Sequence, residues 1–125
     1  MSKTTAVKAI SPSLAEENAE RGLLFQEEGQ LEEAISLYSQ ALAVEPEIPY
    51  VHYNLGIALH HQGDLPGACA CYREAIALNP NDFQARYNLG VVLQQQGLLE
   101  SAINNYQKVI SLSPPRSEEH TSELQ

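Results

Sequence analysis

The chain is poor in positive charge and in sulfur, and it has no tryptophan. Its 125 residues include 7 Lys and Arg against 16 Asp and Glu, which gives a formal net charge of −9. Without a basic face, the protein is a poor match for the phosphates of nucleic acid or of an anionic membrane, so we expect neither as a partner. No apolar run reaches the roughly 18 residues that a membrane span requires. We expect a small protein of the cytoplasm or the nucleocytoplasm.

Residues that carry chemistry are also scarce. Cys69 and Cys71 lie two positions apart, so on a helix they point to different faces and cannot form a Cys-x-x-Cys redox pair. We interpret both as small buried fillers. His60 and His61 do not have the spacing of a zinc site, and no glycine-rich phosphate loop is present. The sequence predicts no catalysis, no cofactor and no metal.

The chain does have a period of 34 residues. Glycine, alanine, tyrosine and proline all recur at that interval: Gly22, Gly56 and Gly90; Gly29, Gly63 and Gly97; Ala34, Ala68 and Ala102; Tyr38, Tyr72 and Tyr106; Pro46, Pro80 and Pro114. A fixed period of this length indicates a solenoid made from one repeated supersecondary unit. The protein is then a stack of interaction modules.

Each unit is predicted to contain two antiparallel helices. In the middle unit, apolar and small residues follow helical spacing on two stripes: Leu55, Gly56 and Leu59, then Ala68, Tyr72, Ala75, Ile76 and Leu78. Asp64 is the expected N-cap of the second helix, with Pro66 in its first turn, and Asn79-Pro80 is the expected end. Ser13 and Glu16 fit a capping box at the first helix. We expect Gly56 and Ala68 to let the two helix backbones approach closely.

These residues resemble the tetratricopeptide repeat family, whose pattern combines Leu-Gly, an aromatic residue, Ala, Tyr or Phe, Ala and Pro. The middle repeat matches it through Leu55-Gly56, Ala68, Tyr72, Ala75 and Pro80. The resemblance implies an all-α solenoid of three helix-turn-helix repeats, about 15–48, 49–82 and 83–115, wound as a right-handed superhelix. Two departures are the missing Trp of the family and Arg21, which replaces the usual Leu.

The resemblance also implies a concave groove that is lined by the first helix of each repeat and binds a peptide or protein. Twelve residues are carried over as candidates for this groove: Glu20, Glu27, Tyr50, Tyr53, Asn54, Ile57, His61, Gln84, Tyr87, Asn88, Val91 and Gln95. The groove is expected to be acidic at its N-terminal end and rich in amides and tyrosines further along, which favours a polar or basic segment. No Lys lies in the groove and Ala19 and Leu23 occupy clamp positions, so a clamp for a terminal carboxylate is not expected.

Asn54 and Asn88 occupy the same position in two repeats. Each side chain has a donor and an acceptor, so a row of them can hold an extended peptide backbone. This row, together with Leu93-Gln94-Gln95-Gln96-Gly97, resembles the repeats of O-linked N-acetylglucosamine transferases. Glu20 interrupts the row, and the alternative is that Asn is simply common at this position in the family.

The two ends are expected to lie outside the array, with 1–13 as a disordered leader and 116–125 as a non-native tail. The tail resembles a translated sequencing adapter, and without it the net charge is −7. On this interpretation the chain is expected to be a fragment of a longer protein; the alternative is a natural polar tail. The last helix then leaves Val109, Ile110 and Leu112 uncovered, which allows self-association. The predicted function is a non-catalytic protein-interaction module. Two alternatives are the substrate-selecting arm of an O-linked N-acetylglucosamine transferase-like enzyme and a self-associating structural module.

Overall fold

The computed structural model describes residues 13–112, which form six α-helices and no strand. The helices are α1 (Leu14–Glu27), α2 (Leu31–Val44), α3 (Pro49–Gln62), α4 (Leu65–Leu78), α5 (Phe83–Gln95) and α6 (Leu99–Leu112). Each helix packs mainly on its neighbours along the chain, and α1 also touches α3. The prediction of an all-α solenoid is confirmed. The proposed leader and tail lie outside the described residues, apart from Ser13, which is the N-cap of α1.

Two helices, α1 and α4, have the N-caps that the sequence predicts. The Oγ atom of Ser13 accepts from the backbone N–H of Glu16 at 3.1 Å, and Glu16 Oε1 accepts from the Ser13 N–H at 2.9 Å, so the capping box is present. Asp64 caps α4 by accepting from the Gly67 N–H at 3.0 Å. Over residues 13–112, no helix is long and apolar enough to cross a membrane.

The glycines between the two helices of each repeat are required by the backbone. Gly29, Gly63 and Gly97 have φ values of 81°, 89° and 83°, a region that residues with a Cβ rarely adopt. The next N–H in each case bonds back to a carbonyl five residues earlier, for example Asp64 to Leu59 at 2.9 Å. This left-handed ending satisfies the last carbonyls of the helix and turns the chain into its partner helix.

The glycines inside the first helices make room for an aromatic ring of the facing helix. A Cβ atom added at Gly56 would lie 2.7 Å from Cε1 of Tyr72, and the three nearest atoms all belong to that ring. The glycine therefore makes room for the tyrosine of the same repeat, which lies on the facing helix. The same 2.7 Å approach occurs between Gly22 and Tyr38, and between Gly90 and Tyr106.

Arg21 departs from the repeat pattern for a structural reason. The equivalent residues Leu55 and Leu89 are buried, at 8% and 4% exposed, because α3 and α5 each pack on an earlier repeat. In the part of the chain that the structure describes, no helix precedes α1, and Arg21 is exposed. A charged residue at this position keeps the first face of the stack in contact with water.

The last helix, α6, differs from α1, because its outer face toward the end of the stack is apolar. Ala102 is its one buried residue. Ile103 is 52% exposed, whereas its equivalent in α4, Cys69, is 3% exposed. Ile110 is 75% exposed, as expected, and Val109 and Leu112 are half-buried rather than exposed. The exposed apolar residues of α6 thus occupy the same repeat positions as the α4 residues that α5 covers.

Candidate functional site

The twelve candidate groove residues all reach the surface. Seven are exposed and five are half-buried, so none is lost to the core. They lie on α1, α3 and α5, the first helices of the three pairs. Two further positions that the family pattern places in the groove behave differently: Ala19 is fully buried, and Leu23 packs against the core.

The candidates on α3 and α5 meet at a cavity of about 370 Å³. Four of its lining residues are predicted groove residues, and two are not; the six are Tyr53, Phe83, Gln84, Tyr87, Asn88 and Val109. No charged side chain lines it. It is therefore an uncharged, mainly aromatic recess with two amide groups.

Paired tyrosines form the wall between the groove and the core. The rings of Tyr53 and Tyr72 have centroids 6.0 Å apart and are tilted by 55°. One repeat later, the rings of Tyr87 and Tyr106 are 5.7 Å apart and tilted by 47°. Both pairs lie in the range of favourable tilted aromatic contacts, so they hold the groove tyrosines in fixed orientations.

The two asparagine side chains each donate a hydrogen bond within the protein. Asn54 Nδ2 donates to the backbone carbonyl of Tyr50 at 2.8 Å, one helical turn earlier. Asn88 Nδ2 donates to the hydroxyl of Tyr53 at 3.3 Å, across from α5 to α3. Each asparagine thus uses one of its two Nδ2 donors inside the protein, and the Asn88 side chain also hydrogen-bonds that of Tyr72, so a ligand meets fewer free groups than the sequence suggested.

The N-terminal end of the groove is acidic around Tyr50, which is 42% exposed. Partial burial raises the pKa of the Tyr50 hydroxyl, and the negative charges of Glu16, Glu20 and Glu45 raise that pKa further. Glu16 and Glu20 come from α1, Tyr50 from α3 and Glu45 from the loop between α2 and α3. The repeats thus bring three carboxylates near one aromatic ring.

The histidines near the end of α3 connect two repeats. His60 Nε2 lies 2.7 Å from Oε1 of Gln95, a candidate groove residue of the next repeat. The ring of His61 stacks near that of His60, with centroids 6.3 Å apart. In the first and third repeats, the residue equivalent to His60 is a glutamine that accepts from the repeat's own tyrosine hydroxyl: Gln26 from Tyr38, and Gln94 from Tyr106.

Two cavity residues were not among the predicted groove residues, and Val109 was expected on the uncovered face of the last helix instead. Phe83 is the first residue of α5, one position before the first groove position, and Val109 belongs to the second helix of its repeat. A signal for Val109 existed, because the equivalent residues in the other repeats are the small Ala41 and Ala75, both fully buried. A larger residue there changes the shape of the space beside Tyr87.

The cysteines behave as structural residues. Cys69 is buried, and its Sγ atom lies 3.4 Å from Gln96 Oε1. Burial raises the pKa of the Cys71 thiol to about 11, with Asp64 and Glu74 adding to the shift, so it stays protonated at neutral pH. A protonated thiol is a weak nucleophile. Among the described residues, no three His, Cys, Asp or Glu side chains gather to hold a metal.

Comparison with known proteins agrees with this architecture. A family model described as TPR repeat matches residues 22–63 and 58–97, and one described as Tetratricopeptide repeat matches 83–116. The chain therefore belongs to the tetratricopeptide repeat family. No curated protein sequence matches it.

Several solved structures share the fold. The first TPR of Spaghetti (RPAP3), bound to the HSP90 peptide SRMEEVD, superposes with a TM-score of 0.78 at 25% identity, over 87% of this chain and 86% of that one. The second TPR of the same protein, bound to the same peptide, gives 0.77 at 24% identity, over 81% and 94%. MamA gives 0.78 at 20% identity, over 92% of this chain and 64% of the MamA chain.

Proposed function

We propose that the protein is a non-catalytic interaction module that binds an extended polar or basic peptide segment of a partner in the groove formed by α1, α3 and α5. The repeats of about 15–48, 49–82 and 83–115 form this module. The supporting observation is the cavity between α3 and α5, which four predicted groove residues line together. The peptide complexes of both Spaghetti repeats show that this fold accommodates a peptide.

Charge favours a basic ligand over an acidic one. The HSP90 peptide that Spaghetti binds, SRMEEVD, carries three acidic side chains. In this chain the groove candidates include Glu20 and Glu27, while no Lys or Arg is among them. An acidic peptide would meet like charge at the N-terminal end without a bidentate or charge-assisted donor to compensate.

We expect a lysine-containing peptide to bind and SRMEEVD to bind at least tenfold more weakly, as measured by fluorescence anisotropy at low and at physiological salt. Replacing Glu20 and Glu27 with Gln should weaken binding of the lysine peptide severalfold. The matched control is Glu32→Gln with Glu33→Gln, which removes the same charge from exposed positions on α2. Equal losses in both double variants would mean that net charge, and not the groove, attracts the peptide. Tighter binding of SRMEEVD would contradict the proposal.

The asparagines contribute acceptors to this groove. With their Nδ2 atoms held by Tyr50 and Tyr53, Asn54 and Asn88 present Oδ1 atoms one repeat apart to the N–H groups of a peptide backbone. Such contacts hold a backbone without selecting its side chains.

The similarity to O-linked N-acetylglucosamine transferase repeats remains a hypothesis. It implies that this module serves a glycosyltransferase, and downstream coding sequence would decide it. The adapter interpretation of 116–125 stays a prediction as well.

Self-association through α6 is the second candidate function, and the exposed face of that helix favours it. Leu99, Ile103 and Ile110 are all more than half exposed on one side of the helix. Two copies that pack these faces together would remove this apolar surface from water.

We expect a concentration-dependent dimer in sedimentation velocity, with Ile103→Asp restoring the monomer. Asn104→Asp adds the same charge at the neighbouring exposed position and should leave the dimer intact. A protein that stays monomeric up to high micromolar concentration would eliminate this second function while leaving the groove proposal untouched.

A further inference from the structure

The cavity between α3 and α5 differs chemically from the rest of the groove. Exposed carboxylates surround Tyr50 at the N-terminal end, whereas Tyr53, Phe83, Tyr87 and Val109 supply an uncharged apolar wall here. Phe83 and Tyr87 are 37% and 52% exposed, so large aromatic surfaces face water. A groove that only held a charged peptide would not need this wall.

We propose that this cavity is a specificity pocket that takes one bulky aliphatic side chain, such as leucine, from the bound peptide. The inference rests on the proposed peptide-binding function and adds the side chain that the groove selects. A volume of about 370 Å³ is at the small end of ligand pockets, which span about 300–1,000 Å³, so it suits one side chain with its adjoining backbone.

The lining chemistry excludes other side chains. A carboxylate or ammonium group placed in the pocket would lose hydration without meeting an opposite charge, because no lining residue is ionised. A leucine side chain would instead cover the exposed faces of Phe83 and Tyr87. At the pocket edge, the Asn88 side chain hydrogen-bonds the peptide backbone through the amide groups that its bond to Tyr53 leaves over.

The distance between the two parts of the groove predicts a ligand pattern. The first helices of neighbouring repeats lie within side-chain reach of each other, since Asn88 on α5 hydrogen-bonds Tyr53 on α3. Helices in contact lie about 8–10 Å apart, and an extended chain advances about 3.3 Å per residue. The acidic end lies at α1 and α3, and the pocket lies one repeat further, at α3 and α5. The selected peptide therefore carries a basic residue about three positions from the aliphatic one.

The test uses nine-residue peptides with blocked ends, made of glycine and serine and containing one lysine. Three positions from the lysine, each peptide carries leucine, alanine or aspartate. Both orders of the two residues along the chain are tested. Binding to the full chain is measured by fluorescence anisotropy. In one order, the leucine peptide should bind about tenfold more tightly than the alanine peptide, and the aspartate peptide more weakly than both. Val109→Asn should reduce the leucine preference to less than threefold while the lysine-dependent part of binding remains.

Ile103→Asn is the matched control, because it introduces the same polar group on the same helix outside the pocket, and it should keep the full leucine preference. Thermal melting of both variants checks that they remain folded. Equal binding of the leucine and alanine peptides to the unmodified chain would overturn the pocket while leaving the basic groove in place. Absence of binding for every peptide would overturn both. Peptide binding that appears only in Ile103→Asn, together with the loss of a dimer, would show that self-association through α6 blocks the groove of the unmodified chain, and it would overturn the pocket as a peptide site in that chain.

Discussion

Replacing Gly56 with leucine is expected to lower the free energy of unfolding by roughly 1–3 kcal/mol or more. The Cβ atom alone would lie 2.7 Å from the ring of Tyr72, and that ring is 1% exposed, so it has no free space to enter. A gain in helix propensity of up to about 1 kcal/mol over glycine does not offset this overlap. Urea denaturation followed by circular dichroism measures the change.

The control is the same substitution at Gly90. Its Cβ would approach Tyr106 equally closely, at 2.7 Å, but Tyr106 is only half-buried and can turn toward solvent. We therefore expect Gly90→Leu to destabilise less than Gly56→Leu. Equal stability of the unmodified chain and Gly56→Leu would refute the account of the glycine–tyrosine contact.

Alkaline pH is expected to unfold the protein well before its backbone is damaged. Burial raises the pKa of Tyr38 from 10.0 to about 12, with the charge of Glu27 adding to the shift, and burial raises the pKa of Tyr72 as well. The folded state therefore keeps these protons at pH values where the unfolded chain releases them. Their contribution is fully present below pH 10 and is lost as the pH rises toward 12. For Tyr38 alone this loss is on the order of 2–3 kcal/mol.

The free energy of unfolding should be measured in urea at pH 7, 9, 10 and 11. Tyr38→Phe cannot ionise, so its stability should decline less between pH 9 and 11 than that of the unmodified protein. At pH 7 the variant should be slightly less stable, because the hydroxyl donates a hydrogen bond to Gln26. Parallel curves for the two proteins would show that the ionisation of Tyr38 does not limit stability.

The sequence predicted the starts of α1 and α4 because these boundaries have a local cause. The capping box at Ser13, the N-cap at Asp64 and the turn at Gly63 act within five residues of themselves, so a reader of the chain can recognise them. The 34-residue period then implies the stacking, since identical units must cover one another. These features depend on neighbours in sequence or on exact repetition.

The site could be predicted only in part, because its details depend on where one repeat deviates from another. The family pattern placed Tyr53 and Asn88 in the groove, but it did not show that Asn88 would use its donor on Tyr53. His60 reaches Gln95, 35 residues away, and that contact depends on the spacing between α3 and α5. Val109 entered the cavity because it is larger than its counterparts, which repetition alone does not reveal.

The contacts of this fold are almost entirely between helices adjacent in the chain. A change in one repeat is therefore felt by the repeat itself and its immediate neighbours, and it does not propagate through a shared central core. The middle repeat illustrates this. Gln26 and Gln94 each accept a hydrogen bond from the tyrosine of their own repeat, whereas the equivalent His60 contacts Gln95 of the following repeat. Such a chain can diversify its recognition surface one repeat at a time, without matching substitutions at a distance.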